Sequence, residues 1–135
     1  MPPIHEGLQI LIVEDNYLAA IALSQSVQQY GAAVVGPAAT VQNALALADE
    51  HGDQLSGASL DVNLAGQFVF PVADELIARG IPIVFSSGYD SSVIPEKYRD
   101  IPLFLKPIDT HTVARELLER ATQFHGQQQR GRECR

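Results

Sequence analysis

Apolar positions along the chain alternate between short unbroken runs and longer stretches at helical spacing. Leu8 to Val13 is a continuous apolar run broken only by Gln9, and its length suits a strand buried on both faces. Asp15 or Asn16 can cap a helix in which Leu18, Ile21, Ala22 and Val27 recur at helical spacing and which Gly31 stops. Ala32 to Val35 reads as a second strand closed by Gly36-Pro37. Thr40 then caps a helix with Val41, Ala44, Leu45 and Ala48 on one face, ending near Gly52. Gly57 to Asp61 is the third predicted strand. Asn63 to Phe70 lacks a clear period and contains Gly66, which predicts a long loop. Pro71 suits the first position of a helix that turns Val72, Leu76 and Ile77 inward and ends at Gly80. Ile81 to Phe85 is the fourth strand, with Ser86-Ser87-Gly88 as a turn. Ser91, Ser92 and Pro95 predict a short or irregular turn between Asp90 and Asp100 in place of a full amphipathic helix. Pro102 to Leu105 is the fifth strand. Lys106-Pro107 comes next, and Asp109 caps a last helix bearing Val113, Leu117, Leu118 and Ala121.

Strands alternating with helices imply right-handed crossovers and a mostly parallel sheet covered on both faces. The expected fold class is therefore α/β, with five parallel strands, helices on both faces and a short or irregular fourth helix. The pattern divides the chain into a leader at 1–7, one folded domain at 8–124, and a tail at 125–135. The tail is rich in glutamine and arginine, has no apolar face, and is expected to be disordered.

Composition narrows the function classes. A chain of 135 residues, 46% hydrophobic and 19% charged, is most simply one globular domain. The formal charge of −7 argues against a nucleic-acid partner, which needs a basic face, and the few scattered aromatics form no base-stacking platform. The single cysteine, Cys134, excludes a disulfide framework within one chain and fits a reducing cytosol. The early apolar run Ile10 to Val13 is far too short for a signal-peptide core or a membrane span. The expectation is a soluble cytoplasmic domain with no membrane partner.

Ligands of open parallel sheets bind outside the carboxyl ends of the strands. Glu14, Asp15, Asp61, Ser87 and Lys106 fall at the carboxyl ends of the first, third, fourth and fifth predicted strands. Taken singly, each has an ordinary structural use as a helix cap, a turn former or a strand exit. Together they put three acids, a hydroxyl and a lysine on one edge. Carboxylates converging to about 5 Å would repel by about 3 kcal/mol per pair at an effective dielectric near 20. A metal ion, a lysine or raised pKa values must offset this. Magnesium suits oxygen ligands of this kind, and a carboxylate beside it can attack phosphorus to give an aspartyl phosphate. Lys106 would bring positive charge to phosphoryl oxygens and the Ser87 hydroxyl a hydrogen bond, while Gly88 would let backbone approach closely.

Over roughly residues 8 to 124, the acid pair, the strand-end Asp, the hydroxyl-plus-small pair and the Lys-Pro resemble, in order and spacing, the receiver domain of two-component response regulators. The resemblance implies the flavodoxin-like strand order 2-1-3-4-5. It implies Asp61 as phosphoacceptor and Mg2+ held by Glu14, Asp15 (the more direct of the two), Asp61 and the backbone carbonyl of Asn63. Ser87 and Lys106 would contact the phosphoryl group. The donor would be the phosphohistidine of a sensor histidine kinase or a histidine phosphotransfer protein, in a bacterial cytoplasm, and the readout a downstream target protein. Ile81 to Tyr89 is similar to the Pro-Phe-x-Phe-Ala-Thr-Gly-Tyr signature of the FAT GUY response regulators, whose partners belong to the HWE and related kinase families. Ser86 and Ser87 stand where that signature has Ala and Thr. Gly88, Tyr89 and Leu103 are the positions expected to modulate the response.

Three departures from ordinary receivers bear on output. Leu103 occupies the position, three before the lysine, where the family usually has an aromatic. Phe104 is adjacent, but strand alternation points it to the opposite face. Pro95 and the serines shorten the fourth helix, and Ala65 replaces a common proline. Competing functions are weaker. A phosphatase of the haloacid dehalogenase type needs an acid two residues after its nucleophile, where Asn63 stands. A flavodoxin-like cofactor binder would find its phosphate repelled by Glu14-Asp15. A receiver-like module that binds without phosphorylation would keep the fold alone. The expectation is thus a single-domain response regulator, not an enzyme with a separate substrate, that acts by target binding, as a relay or as a phosphoryl sink.

Overall fold

Five strands, β1 (Gln9–Val13), β2 (Ala33–Ala38), β3 (Gly57–Asp61), β6 (Ile83–Ser87) and β7 (Leu103–Leu105), pair in parallel in the order β2-β1-β3-β6-β7. A separate antiparallel hairpin, β4 (Asn63–Leu64) and β5 (Gln67–Phe68), comes directly after β3. The helices are α1 (Tyr17–Gln29), α2 (Val41–His51), α3 (Phe70–Ala78) and α4 (Thr110–Glu133). This computed structural model describes residues 7–88 and 91–133. With the hairpin set aside, the order is the expected 2-1-3-4-5, and it reverses between β1 and β3, where the carboxyl ends carry Glu14 and Asp61.

The central strands read as unbroken apolar runs because both of their faces are buried. Leu11, Val13, Ala58, Leu60 and Phe85 pack with Val41, Ala44 and Ala48 of α2 and Val72 and Leu76 of α3. Ile10, Ile12 and Val84 pack on the other face with Leu23 and Val27 of α1 and Val113, Leu117 and Leu118 of α4. Gly57 is small for a reason: a Cβ there would stand 3.1 Å from Leu117 Cδ1, so glycine lets α4 close on the sheet. The caps are as the sequence suggests. Asn16 accepts from the Ala19 N–H at 3.0 Å and Thr40 from the Asn43 N–H at 3.1 Å, while Asp109 accepts from His111 and Thr112. Because Asn16 caps α1, the neighbouring Asp15 carboxylate is left for the sheet edge.

Several boundaries differ from expectation. β2 does not close at Gly36-Pro37 but bends through it to Ala38. Gly36 has φ +96°, and a Cβ would come within 2.8 Å of the Ala38 nitrogen and 3.0 Å of the Ile12 carbonyl. β6 spans Ile83–Ser87, two residues later than expected, so Ser86 and Ser87 belong to the strand and are buried. Ile77 is 45% exposed and not turned inward. α4 continues past Phe124 to Glu133, into the polar segment expected to lie outside the domain. Among the described residues between β6 and β7 there are two 3-10 turns, Ser91–Val93 and Glu96–Tyr98, and no full helix, as the serines and Pro95 predict. Residues 1–6 of the expected leader at 1–7, and Tyr89, lie outside the described residues.

The expected long loop after β3 is the hairpin. Its two-residue turn has Ala65 at φ 53° and Gly66 at φ +93°, the double positive φ of a type I′ turn. Proline, with φ fixed near −65°, cannot occupy the first of these positions. Ala65→Asn is expected to raise stability by up to about 1 kcal/mol, because asparagine tolerates the left-handed region that alanine adopts at a penalty. Ala65→Pro should lower it. Thermal denaturation of the two variants checks both signs.

Candidate functional site

Glu14 sits just past the last residue of β1 and is tied to the neighbouring strand by its N–H, which donates to the Ala38 carbonyl at 2.9 Å. Asp61 ends β3, paired in register with Ser86 of β6. Lys106 sits just past β7, with its N–H donating to the Ser87 carbonyl at 2.8 Å. Three strand ends therefore deliver their side chains to one place. Lys106 Nζ lies 2.7 Å from Glu14 Oε1 and 3.0 Å from Asp61 Oδ2. One oxygen each from Glu14, Asp15 and Asp61 falls within 4.8 Å of the others. Glu14 and Asp61 are buried, at 8% and 4% exposure, whereas Asp15 is exposed.

The remaining candidate residues surround this cluster. Ser87 is buried at the end of β6, one residue past the partner of Asp61. Gly88 is exposed, and a Cβ there would meet nothing within 4 Å. The Asn63 N–H donates to Asp61 Oδ1 at 3.3 Å, and its side-chain Oδ1 accepts from the Gly66 N–H at 2.7 Å, so the hairpin is hooked to Asp61 at its first residue. Leu103 is partly buried on the sheet face that carries Phe85, while Phe104 packs on the opposite face against α1 and α4. Sequence reading did not single out Tyr98. It is buried on the Leu103 face, edge-on to Phe85 at 5.7 Å between ring centroids. The signal available for it was weak, a single aromatic within the polar stretch 91–100.

Burial is the main cause that raises the Asp61 pKa from 3.8 to about 6. A hydrogen bond with Glu14 adds to the rise, and Lys106 opposes it only in part. For Lys106, burial pulls downward, but hydrogen bonds to Glu14 and Asp61 outweigh it and hold the ammonium above its ordinary range. Lys106 thus bonds two of the three clustered carboxylates. Glu14 Oε2 is moreover buried with no hydrogen-bond partner, which is costly for a carboxylate oxygen. An all-oxygen donor set with excess negative charge and an orphaned oxygen fits a hard divalent cation such as Mg2+.

Solved structures similar to the chain share this architecture. The solution structure of SdrG from Sphingomonas melonis Fr1 is 38% identical, covering 85% of this chain and 96% of that one, with a TM-score of 0.72. The BeF3-activated conformation of SdrG from Pseudomonas melonis Fr1 is 38% identical over 82% of this chain and 93% of that one, with a TM-score of 0.67. The crystal structure of the response regulator PhyR from Brucella abortus is 26% identical with a TM-score of 0.71. It covers 95% of this chain, which spans 53% of that longer one. No family model matches the chain, and no curated protein matches it.

Proposed function

The chain belongs to the receiver domains of response regulators, and on that premise we propose that Asp61 accepts a phosphoryl group from a phosphohistidine in a Mg2+-dependent reaction. The observation that carries the reading is the buried Asp61, bonded to Lys106 and within 4.8 Å of two further carboxylates at the point where strand order reverses. Glu14, Asp15, Asp61 and the backbone carbonyl of Asn63 would hold the ion, which supplies positive charge to the phosphoryl oxygens. An Asp61 oxygen attacks phosphorus. The O–P bond forms as the donor's N–P bond breaks, and the imidazole nitrogen keeps the electron pair. With a pKa of about 6, Asp61 is largely ionised at neutral pH and so available as a nucleophile. Lys106 exchanges its Asp61 contact for a phosphoryl oxygen, and the Ser87 hydroxyl donates to another.

The functional domain of this reading is 8–124. The similarity of Ile81–Tyr89 to the FAT GUY signature supports an HWE-type kinase, or a phosphotransfer protein it feeds, as donor in a bacterial cytoplasm. Among the described residues no helix is long and apolar enough to cross a membrane. Phosphorylation would switch binding of a target protein or serve as relay or sink, with reordering of the Gly88 to Pro95 segment as the signal. The two 3-10 turns and the aliphatic Leu103 support that choice. No separate substrate is turned over. A haloacid dehalogenase-type reaction lacks its acid, because the Asn63 side chain is an amide whose oxygen is engaged by Gly66.

Transfer from a phosphorylated histidine phosphotransfer protein should label the wild type and spare Asp61→Asn; equal labelling of both removes the proposal. Asn63 and Tyr89 lie two residues past the acceptor and the hydroxyl residue, where they would shape access of water to the acyl phosphate. Asn63→Ala and Tyr89→Ala should each change the decay rate of the phosphorylated protein several-fold. Unchanged decay would remove these roles.

A further inference from the structure

Tyr98 is a buried polar aromatic that the phosphoryl chemistry leaves unused. It lies in the 91–101 segment between β6 and β7. The backbone hydrogen bonds described there are internal, from Tyr98 to Pro95, Arg99 to Glu96 and Ile101 to Tyr98. Side chains fix the segment to the body of the domain. The Tyr98 ring stacks on Phe70, with centroids 5.1 Å apart and planes 12° apart. Its phenol donates to Asp74 of α3, and Lys97 adds an ion pair to the same carboxylate at 3.4 Å. Phe70 opens α3 and stacks on Phe68 of the hairpin at 5.6 Å. That hairpin starts at Asn63, bonded to Asp61, and Phe85 beneath Tyr98 lies two residues before Ser87.

We infer that Tyr98 and Asp74 form a latch that holds the 91–101 segment against α3, and that the state of Asp61 opens it through the hairpin aromatics and the Phe85 strand. The second half rests on the acceptor reading. Two contiguous paths join the site to the latch, one along β6 and one through Phe68 and Phe70. A phenol-to-carboxylate bond is short and directional, so a small displacement of the ring breaks it. There is room for such a displacement. A cavity of about 320 Å³ lined by Ile94, Pro95, Tyr98, Ile101 and Leu103 runs along the segment. Ile94 and Ile101 still pack against the core when the latch opens, so the reorganisation is local to the turn that carries Tyr98. Phosphorylation would draw Ser87 toward the new phosphoryl group, pull on the chain leaving β6 and part Tyr98 from Asp74. The aromatic missing at Leu103 is thereby supplied from the preceding segment, with a latch in place of a rotating ring.

Amide hydrogen exchange of the full chain, read by mass spectrometry over 91–101 with and without beryllofluoride and Mg2+, tests the inference. Tyr98→Phe keeps the ring and removes the donor. Without the anion, exchange over 91–101 should be about tenfold faster than in wild type, as expected for loss of a hydrogen bond to a charged acceptor. Asp74→Ala should be at least as fast, since it also removes the Lys97 ion pair, and the double variant should be no faster than Asp74→Ala, because the Tyr98 bond is already lost in it. Unchanged α2 exchange in Tyr98→Phe confirms that the fold is intact. In wild type the anion should accelerate the same segment, and in Tyr98→Phe it should add little. Exchange in Tyr98→Phe equal to wild type overturns the latch. A bound-fluoride NMR signal with no change over 91–101 overturns the coupling. Absence of that signal in wild type strikes the acceptor reading and the coupling with it, while the anion-free comparison still decides the latch.

Discussion

Replacing Lys106 with methionine is expected to lower the stability of the domain by about 3 kcal/mol at pH 8 and by much less at pH 5. Lys106 Nζ is the shared counter-ion of Glu14 and Asp61, at 2.7 and 3.0 Å, and both carboxylates are buried. Removing one partner of a buried charge cluster typically costs about 3–5 kcal/mol, since the remaining charges are left uncompensated. The lysine is 30% exposed in its side chain, which places the loss at the lower end. Methionine keeps most of the stem's volume, so packing changes little. The pH dependence separates charge from packing. Lys106 opposes the rise of the Asp61 pKa, so its loss moves that pKa above its present value of about 6. At pH 5 Asp61 is mostly protonated with or without the lysine, so little charge there is left uncompensated by its loss. Urea unfolding at the two pH values measures the difference. An equal loss at both would assign the effect to the lysine stem.

Asp61→Asn is expected to act in the opposite direction and to stabilise the metal-free protein at neutral pH. The Asp61 pKa is raised in the folded state, from 3.8 to about 6, so the native protein binds its proton more tightly than the unfolded chain does. Stability from this group is therefore fully present below pH 3.8, falls as pH rises through about 6, and is lost above it. A displacement of this size corresponds to about 3 kcal/mol. The asparagine variant, with no carboxylate to desolvate, should gain up to that amount at pH 8 and close to nothing at pH 4, a rise of several degrees in Tm at the higher pH. Mg2+ should narrow the gap, because it stabilises the wild-type cluster and finds one carboxylate fewer in the variant. A variant no more stable than wild type at pH 8 without metal would show that Asp61 is not held against a desolvation penalty.

Much of the frame is legible in the sequence because its signals are local. β3 has the expected bounds, Gly57–Asp61, since a strand buried on both faces leaves a contiguous run that a lone acid ends. Asn16, Thr40 and Asp109 announce their helices through side chains that bond only two or three residues ahead. What the sequence hides depends on distant neighbours. Gly36-Pro37 looks like a stop, but backbone near Ile12 carries β2 through it. Ser86 and Ser87 look like a turn, but pairing with Asp61 and Leu105 keeps them in β6. The hairpin is too short to show a period of two. At the site, the strand-end rule brings Glu14, Asp15, Asp61, Ser87 and Lys106 to one edge. It cannot say that Lys106 bridges Glu14 and Asp61, a contact spanning 92 residues of sequence, or that Glu14 is the buried acid of its pair. Tyr98 is hidden for the same reason, since its role rests on Phe70, Phe85 and Asp74, which lie far from it in sequence.

The central claim is a covalent one, that Asp61 takes a phosphoryl group. Incubation with a small acyl phosphate and Mg2+, with intact mass as the readout, tests it directly. Wild type should gain one phosphoryl adduct that disappears when the metal is chelated before mixing and never forms on Asp61→Asn. No adduct on wild type, or an equal adduct on Asp61→Asn, would contradict it.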